Sequence, residues 1–142
     1  MQVYRRIIPL FEGYCRQDQI DGKEVSASIG GSKLKLKVMS TPDSMNSGYS
    51  KFPEPKDGEG LLFVYDREMP LEFWMKKVDF PLDIIFFDSM MNLVNHLTMD
   101  PCGDLKDEDL PIYRSEGPAR FAVEVKSGWC DRNLSPNSRL KF

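Results

Sequence analysis

Residues 73–88 read Phe-Trp-Met-Lys-Lys-Val-Asp-Phe-Pro-Leu-Asp-Ile-Ile-Phe-Phe-Asp, two aromatic-rich apolar runs around a short charged turn closed by Pro81. Apolar runs this dense must be buried, and proline among charges marks a chain reversal, so the segment predicts a buried β-hairpin. Asp83 lies inside the second run, ahead of Ile84-Ile85-Phe86-Phe87, where neither face of a strand is polar. A carboxylate there must be hydrogen-bonded, ion-paired or protonated, because an unmatched charge is costly to bury. A turn between Asp79 and Phe80 sets Lys76 opposite Asp83 and makes it the expected partner. A turn centred on Asp79 sets Met75 there instead.

The remaining organisation is mainly β. Val25, Ala27 and Ile29 alternate with polar neighbours, Gly30-Gly31 supplies the positive φ of a tight turn, and Lys33 to Val38 alternates again, which predicts a hairpin. Thr41 suits a helix N-cap, Pro42 the first helical position, Asp43 the positive helix end and Gly48 its termination, which predicts a helix of about two turns. A proline-broken loop follows over Lys51 to Gly58. Gly60–Tyr65, Leu71–Lys76, Leu82–Phe87 and Leu93–Thr98 then read as four strands of a meander. Asp100 to Ser115 is polar and irregular, Ala119–Lys126 is a strand, Gly128–Leu134 a short helix and Arg139–Phe142 a closing strand. The pattern predicts a mainly β (α+β) chain: an antiparallel β-barrel or sandwich-like single domain over 1–142 with one or two short helices.

Four blocks in order carry a family resemblance. They are Thr41-Pro42-Asp43-Ser44-Met45 with Gly48-Tyr49, Gly58-Glu59-Gly60-Leu61-Leu62-Phe63-Val64, the run from Trp74-Met75-Lys76-Lys77 to Pro81-Leu82-Asp83-Ile84-Ile85-Phe86, and Tyr113-Arg114-Ser115 leading into Ala119 to Val125 with Gly128-Trp129. Together they resemble the domain of unknown function 192 family, with its W-M-K-N and P-L-D-I-I-F signature, from about Ser40 to the C-terminus, leaving residues 1–35 as N-terminal strands outside the match. Lys77 stands where that family usually has Asn, and Tyr49 where it usually has Leu. The resemblance implies a small β fold and no established activity; many of its members are exported or lipid-anchored.

A chain of 142 residues is the size of one domain and can bury roughly 68–70% of its unfolded surface, so it needs no staple to fold. Met1 to Glu12 carries charge and proline where a secretory leader needs an unbroken apolar run, and no stretch approaches ~20 apolar residues. The expectation is a cytoplasmic, soluble protein without membrane partners. Cys15, Cys102 and Cys130 lack C-x-x-C spacing and read as reduced thiols rather than a disulfide framework or zinc site. A net charge of −3 removes the usual electrostatic warrant for nucleic acid. Lys33, Lys35 and Lys37 share one strand face, read as a solvated, aggregation-resistant surface with a polyanion stripe as the alternative.

Catalytic groups are sparse. His96 is the one histidine, so a Ser or Cys nucleophile such as Cys102 would need it as base. The shortage of ligands argues against a metal, the acidic segment Asp100, Asp104, Asp107, Glu108 and Asp109 lacks EF-hand spacing, and no cofactor is expected. Trp74 and Lys76 share one strand face while Phe73 and Met75 share the other. An indole beside a cation suits a ligand cleft; plain core packing is the competing reading. Glu124 faces away from Phe121, Val123 and Val125, and Arg114-Ser115 offers a guanidinium and a hydroxyl for a phosphate or carboxylate. Trp74, Lys76, Asp83, Arg114, Ser115 and Glu124 are therefore the candidate ligand-binding residues. The leading expectation is a non-catalytic module for a small polar or sugar-like ligand or a protein partner. The alternative is a small hydrolase or lyase using Asp83 and Glu124 as paired carboxylates.

Overall fold

The computed structural model describes residues 20–142. The expectations for Met1 to Glu12 and Cys15 lie outside the described residues. Strand β1 (Glu24–Ile29) and strand β2 (Ser32–Met39) form the expected antiparallel hairpin, with Ile29 opposite Ser32. Its turn needs two consecutive left-handed residues, and Gly30 and Gly31 supply them at φ of 57° and 87°. Thr41 caps helix α1 (Pro42–Ser47) as its sequence predicts: its hydroxyl accepts from the Ser44 N–H at 3.2 Å, and the Ser44 hydroxyl accepts from the Thr41 N–H at 3.1 Å. A 3₁₀ turn over Gly48–Lys51 carries the chain onward.

The next strands are β3 (Glu59–Met69), β4 (Glu72–Phe73), β5 (Leu82–Phe87), β6 (Leu93–Met99), β7 (Tyr113–Arg114) and β8 (Ala119–Lys126), then helix α2 (Trp129–Asn133) and β9 (Leu140–Lys141). Seven of them form one sheet in the order β6-β5-β8-β3-β2-β1-β9, and β4 pairs with β7 apart from it. All pairings are antiparallel except β2 with β3. The sheet curls until Arg139 makes a single antiparallel bridge with Asn92, while the Leu140 N–H donates to the Met91 carbonyl at 3.1 Å. This is a half-barrel drawn together at one end.

Two sequence expectations are corrected. The meander does not form, because β8 lies between β3 and β5. A strand reading Ala-Arg-Phe-Ala-Val-Glu-Val-Lys, five of its residues fully buried hydrophobics, suits a central position better than the closing one its place in the chain suggests. The hairpin over 73–88 also fails: β4 pairs with β7, β5 pairs with β6 and β8, and Trp74 to Pro81 crosses between them as a loop. That loop is anchored by Met75 and Val78, 1% and 7% exposed, and the Val78 N–H donates to the Met75 carbonyl at 3.1 Å.

Lys77 in this turn adopts φ 59°, a left-handed conformation that a side chain with a Cβ resists and that Asn tolerates best after Gly. Lys77→Asn is expected to stabilise the fold by about 0.5 kcal/mol, a fraction of the roughly 1–2 kcal/mol that αL backbone costs an ordinary residue, since Asn relieves only part of it. Thermal unfolding of the variant checks this, and an unchanged or lower midpoint would contradict it.

Because side chains alternate along each strand, the sheet has two cores. Leu62, Ile85, Phe87, Phe121, Val123 and Val125 point inside the curl with Trp129 of α2. Leu61, Phe63, Leu82, Ile84, Phe86 and Ala122 point to the other face, under Tyr49, Phe73, Met75 and Val78. Asp83 and Glu124 belong to different cores, and everything said below about function depends on that separation.

Candidate functional site

On the second face, α1 and its 3₁₀ turn stand on one side and β4 with the 74–78 loop on the other, leaving a cleft of about 370 Å³ between them. The volume lies in the range of small-molecule sites. Its walls are aromatic: Tyr49 from the 3₁₀ turn, Phe63 and Tyr65 from β3, and Phe73 and Trp74 at the end of β4. Phe63 and Phe73 pack edge to face at 4.9 Å between ring centroids, and Tyr49 does the same with Phe80 at 5.9 Å, so the walls are held by rings outside and inside the cavity. Lys76 and Glu72 stand at the rim.

Glu124 lies at the floor. It sits on β8 between neighbours β3 and β5, opposite Leu61 on one and Ile84 on the other, and is only 4% exposed. Gly60 admits the close approach of β3 to β8, since a Cβ there would fall on the Glu124 carbonyl oxygen. Among the described residues, no side chain or backbone group gives the Glu124 carboxyl a hydrogen bond or an ion pair. Burial alone acts on it and pushes its pKa up to about 8. The same burial, together with the Glu124 charge, raises the Tyr65 phenol to about 12 and the Tyr49 phenol further still. Both phenols therefore stay neutral hydrogen-bonding groups in the cleft.

The sequence-derived candidates separate into three places. Trp74, Lys76 and Glu124 are brought together in the cleft. Arg114 and Ser115 are not: the Arg114 Nε donates to Glu72 at 2.7 Å and the Ser115 hydroxyl accepts from the Leu71 N–H at 2.9 Å, so they brace the outer wall. Asp83 is inside the curl. Its Oδ1 accepts from the Thr98 hydroxyl at 3.0 Å, and its Oδ2 accepts from the Gly128 and Cys130 N–H groups at 3.1 and 3.0 Å. It thus caps α2, whose own N-cap is a glycine without a side chain.

The expected Lys76–Asp83 pair does not form, because the hairpin that would align them is replaced by a loop; neither does Asp83 face Met75. Lys76 instead donates to Asp107 at 2.8 Å and its ammonium lies 5.2 Å from the Trp74 ring centroid. Nor do the two carboxylates converge. The register sets Asp83 opposite Val125 and Glu124 opposite Ile84, so the acids are one step out of phase and project through opposite faces of the sheet.

Other candidates resolve simply. His96 is exposed opposite Ile85, and the half-buried Cys102 directs its thiol to the Met75 carbonyl at 3.7 Å. Among the described residues no group of three His, Cys, Asp or Glu is placed to hold a metal, and no helix is long and apolar enough to cross a membrane. The Lys37 ammonium lies 4.8 Å from the Phe52 ring centroid. Tyr49, Phe63, Tyr65 and Glu72 were not singled out from sequence. Tyr49 alone carried a signal, as a departure from the leucine its relatives usually place there.

Fold and cleft define a class: a small curled β-sheet protein with an aromatic-walled cleft over a buried carboxyl. Residues 25–142 match the family described as Uncharacterized ACR, DUF192, and the chain belongs to that family. The match begins at Val25, so the β1–β2 hairpin is part of the family's fold, and the resemblance reaches further toward the N-terminus than Ser40. Two solved structures are similar. One, from Sinorhizobium meliloti 1021 and described as a candidate transcription regulator, shares 21% identity over 86% of this chain and 95% of its own, with a TM-score of 0.75. The other, of unknown function from Novosphingobium aromaticivorans DSM 12444, shares 21% identity over 84% of this chain and 85% of its own, with a TM-score of 0.69. No curated protein sequence matches the chain significantly. At these identities the likeness extends to the fold alone.

Proposed function

We propose that the protein is a non-catalytic binding module whose cleft accepts a small polar ligand between Trp74 and Glu124. The observation that carries this reading is the Glu124 carboxyl: almost fully buried, without a partner among the described residues, and lining a cavity rather than a packed core. A native fold seldom retains an unmatched buried acid unless something else completes it. The aromatic walls supply flat apolar surface for a ligand's carbon skeleton, and the floor supplies one strong polar contact, the usual division of labour in a small-molecule site. An anionic ligand fits this site poorly, because the Glu124 carboxyl at its floor has no cationic partner among the described residues.

Trp74→Ala is expected to weaken binding at least tenfold while leaving the fold intact, since Trp74 is only half buried and its loop is anchored by Met75 and Val78. The measurement is mass spectrometry of molecules that co-purify with the protein, followed by calorimetry of wild type and variant against the molecule found. Unchanged affinity in Trp74→Ala rejects the cleft as the binding site. A second reading, a hydrolase or lyase, rests on Glu124 alone, whose pKa near 8 suits a general acid or base. It loses the support of a second carboxylate, since Asp83 points away. Recovery of the co-purified molecule unchanged after prolonged incubation favours the binding module, whereas turnover that Glu124→Gln abolishes favours the enzyme.

A further inference from the structure

Resting on the cleft reading, we infer that the ligand of this site is an organic cation: a primary ammonium group that seats on the Glu124 carboxylate while its carbon stem lies against Trp74, Tyr49 and Phe63. Three features select this class over a neutral polyol. The Glu124 oxygens offer several acceptor positions with no donor among the described residues, and an ammonium brings three N–H donors and the balancing charge in one group. Glu72, which also lines the cleft, is balanced by the Arg114 guanidinium at 2.7 Å, so the floor carboxyl sets the charge of the site. The one lysine that lines the cleft is held by Asp107 at 2.8 Å, so it does not neutralise the floor. The walls are the faces and edges of aromatic rings, and a cation near such faces is attracted by their quadrupoles, more so where water is excluded.

The seat also couples binding to a proton. Glu124 faces Tyr49 and Tyr65 from the elements packed over it, with the Glu72–Arg114 and Lys76–Asp107 pairs at the rim and no charged side chain from β5 on that face. Both phenols are raised far above neutrality, so the floor carboxyl is the group whose charge changes near neutral pH. A primary ammonium stays charged to about pH 10. Binding then requires the ionised floor, and one proton leaves the protein for each cation bound.

The test uses the full chain with n-butylammonium chloride as the cationic probe, and n-butanol and glucose as neutral ones, at constant ionic strength from pH 6 to 9. Calorimetry and the Trp74 indole NMR signal report binding. We expect n-butylammonium to bind at least tenfold more tightly than n-butanol. Its affinity should fall about tenfold for each pH unit below about 8, level off above it, and drop at least tenfold in Glu124→Gln. Should that variant fail to fold, the wild-type pH series decides alone. Butanol or glucose binding as tightly as the cation overturns the cationic class and leaves the cleft reading standing. Cation binding indifferent to pH overturns it too, and no probe perturbing Trp74 overturns both.

Discussion

Glu124→Gln is expected to make the folded protein more stable by about 4 kcal/mol at pH 8, an unusual gain for a single substitution at a buried position. The wild-type carboxyl ionises at its ordinary 4.5 when unfolded but only at about 8 when buried. Between those values the folded protein holds a proton that the unfolded chain releases, so wild-type stability falls as pH rises through the window. Below about pH 4.5 both states are protonated and the penalty vanishes; above about 8 both are ionised and it is complete. Glutamine has nearly the same shape and no charge, so the variant lacks both the slope and the penalty. Urea unfolding of the two proteins at pH 5 and pH 8 checks this. Wild type and variant should nearly coincide at the lower pH and diverge at the higher; a constant difference would show that Glu124 does not titrate as its burial dictates.

Asp83→Ala is expected to cost about 2–4 kcal/mol, in the opposite direction. Three donors lose their acceptor at once: the Thr98 hydroxyl and the backbone N–H groups of Gly128 and Cys130. Each donor left buried without a partner costs about 1–3 kcal/mol, partly recovered where the Thr98 hydroxyl turns toward solvent. Helix α2 would then fray, and Trp129, which it holds in the inner core at 2% exposure, would loosen with it. Asp83→Asn keeps one acceptor oxygen and should lose roughly half as much. Denaturant unfolding followed at the tryptophans measures both, and a loss under about 0.5 kcal/mol for Asp83→Ala would mean that the carboxylate does not cap the helix. The pair of substitutions separates two buried acids, one serving the fold and the other not.

Residues act at two ranges here, and only the short range was legible in the sequence. Gly30-Gly31 between alternating runs, and Thr41-Pro42-Asp43 ahead of Gly48, determined a hairpin and a helix because turn and cap chemistry acts within a few residues. The same local logic marked Asp83 as a buried carboxylate in need of partners; Trp74 and Lys76 both line the cleft, but from the loop after Phe73 rather than from the shared strand face that alternation predicts. The tertiary structure decided which partners answer. Asp83 is satisfied from 45 and 47 positions away, and nothing in the run around it distinguishes that helix from a lysine in a presumed hairpin.

Strand order was equally beyond local pattern, since β4 and β5 each carry a strand-like sequence that specifies burial but not a neighbour. Insertion of β8 between β3 and β5 converted Glu124 from an ordinary strand glutamate into a desolvated floor, and the one-residue offset between Asp83 and Glu124 sent the two acids to opposite faces. The sequence by itself determined the turn at Gly30-Gly31, the capped helix after Thr41 and the burial of the run around Asp83. Which of the buried acids is matched and which is left open to a cavity followed from pairing between distant strands, because the energy of a buried charge is set by whatever the rest of the fold brings within hydrogen-bonding distance.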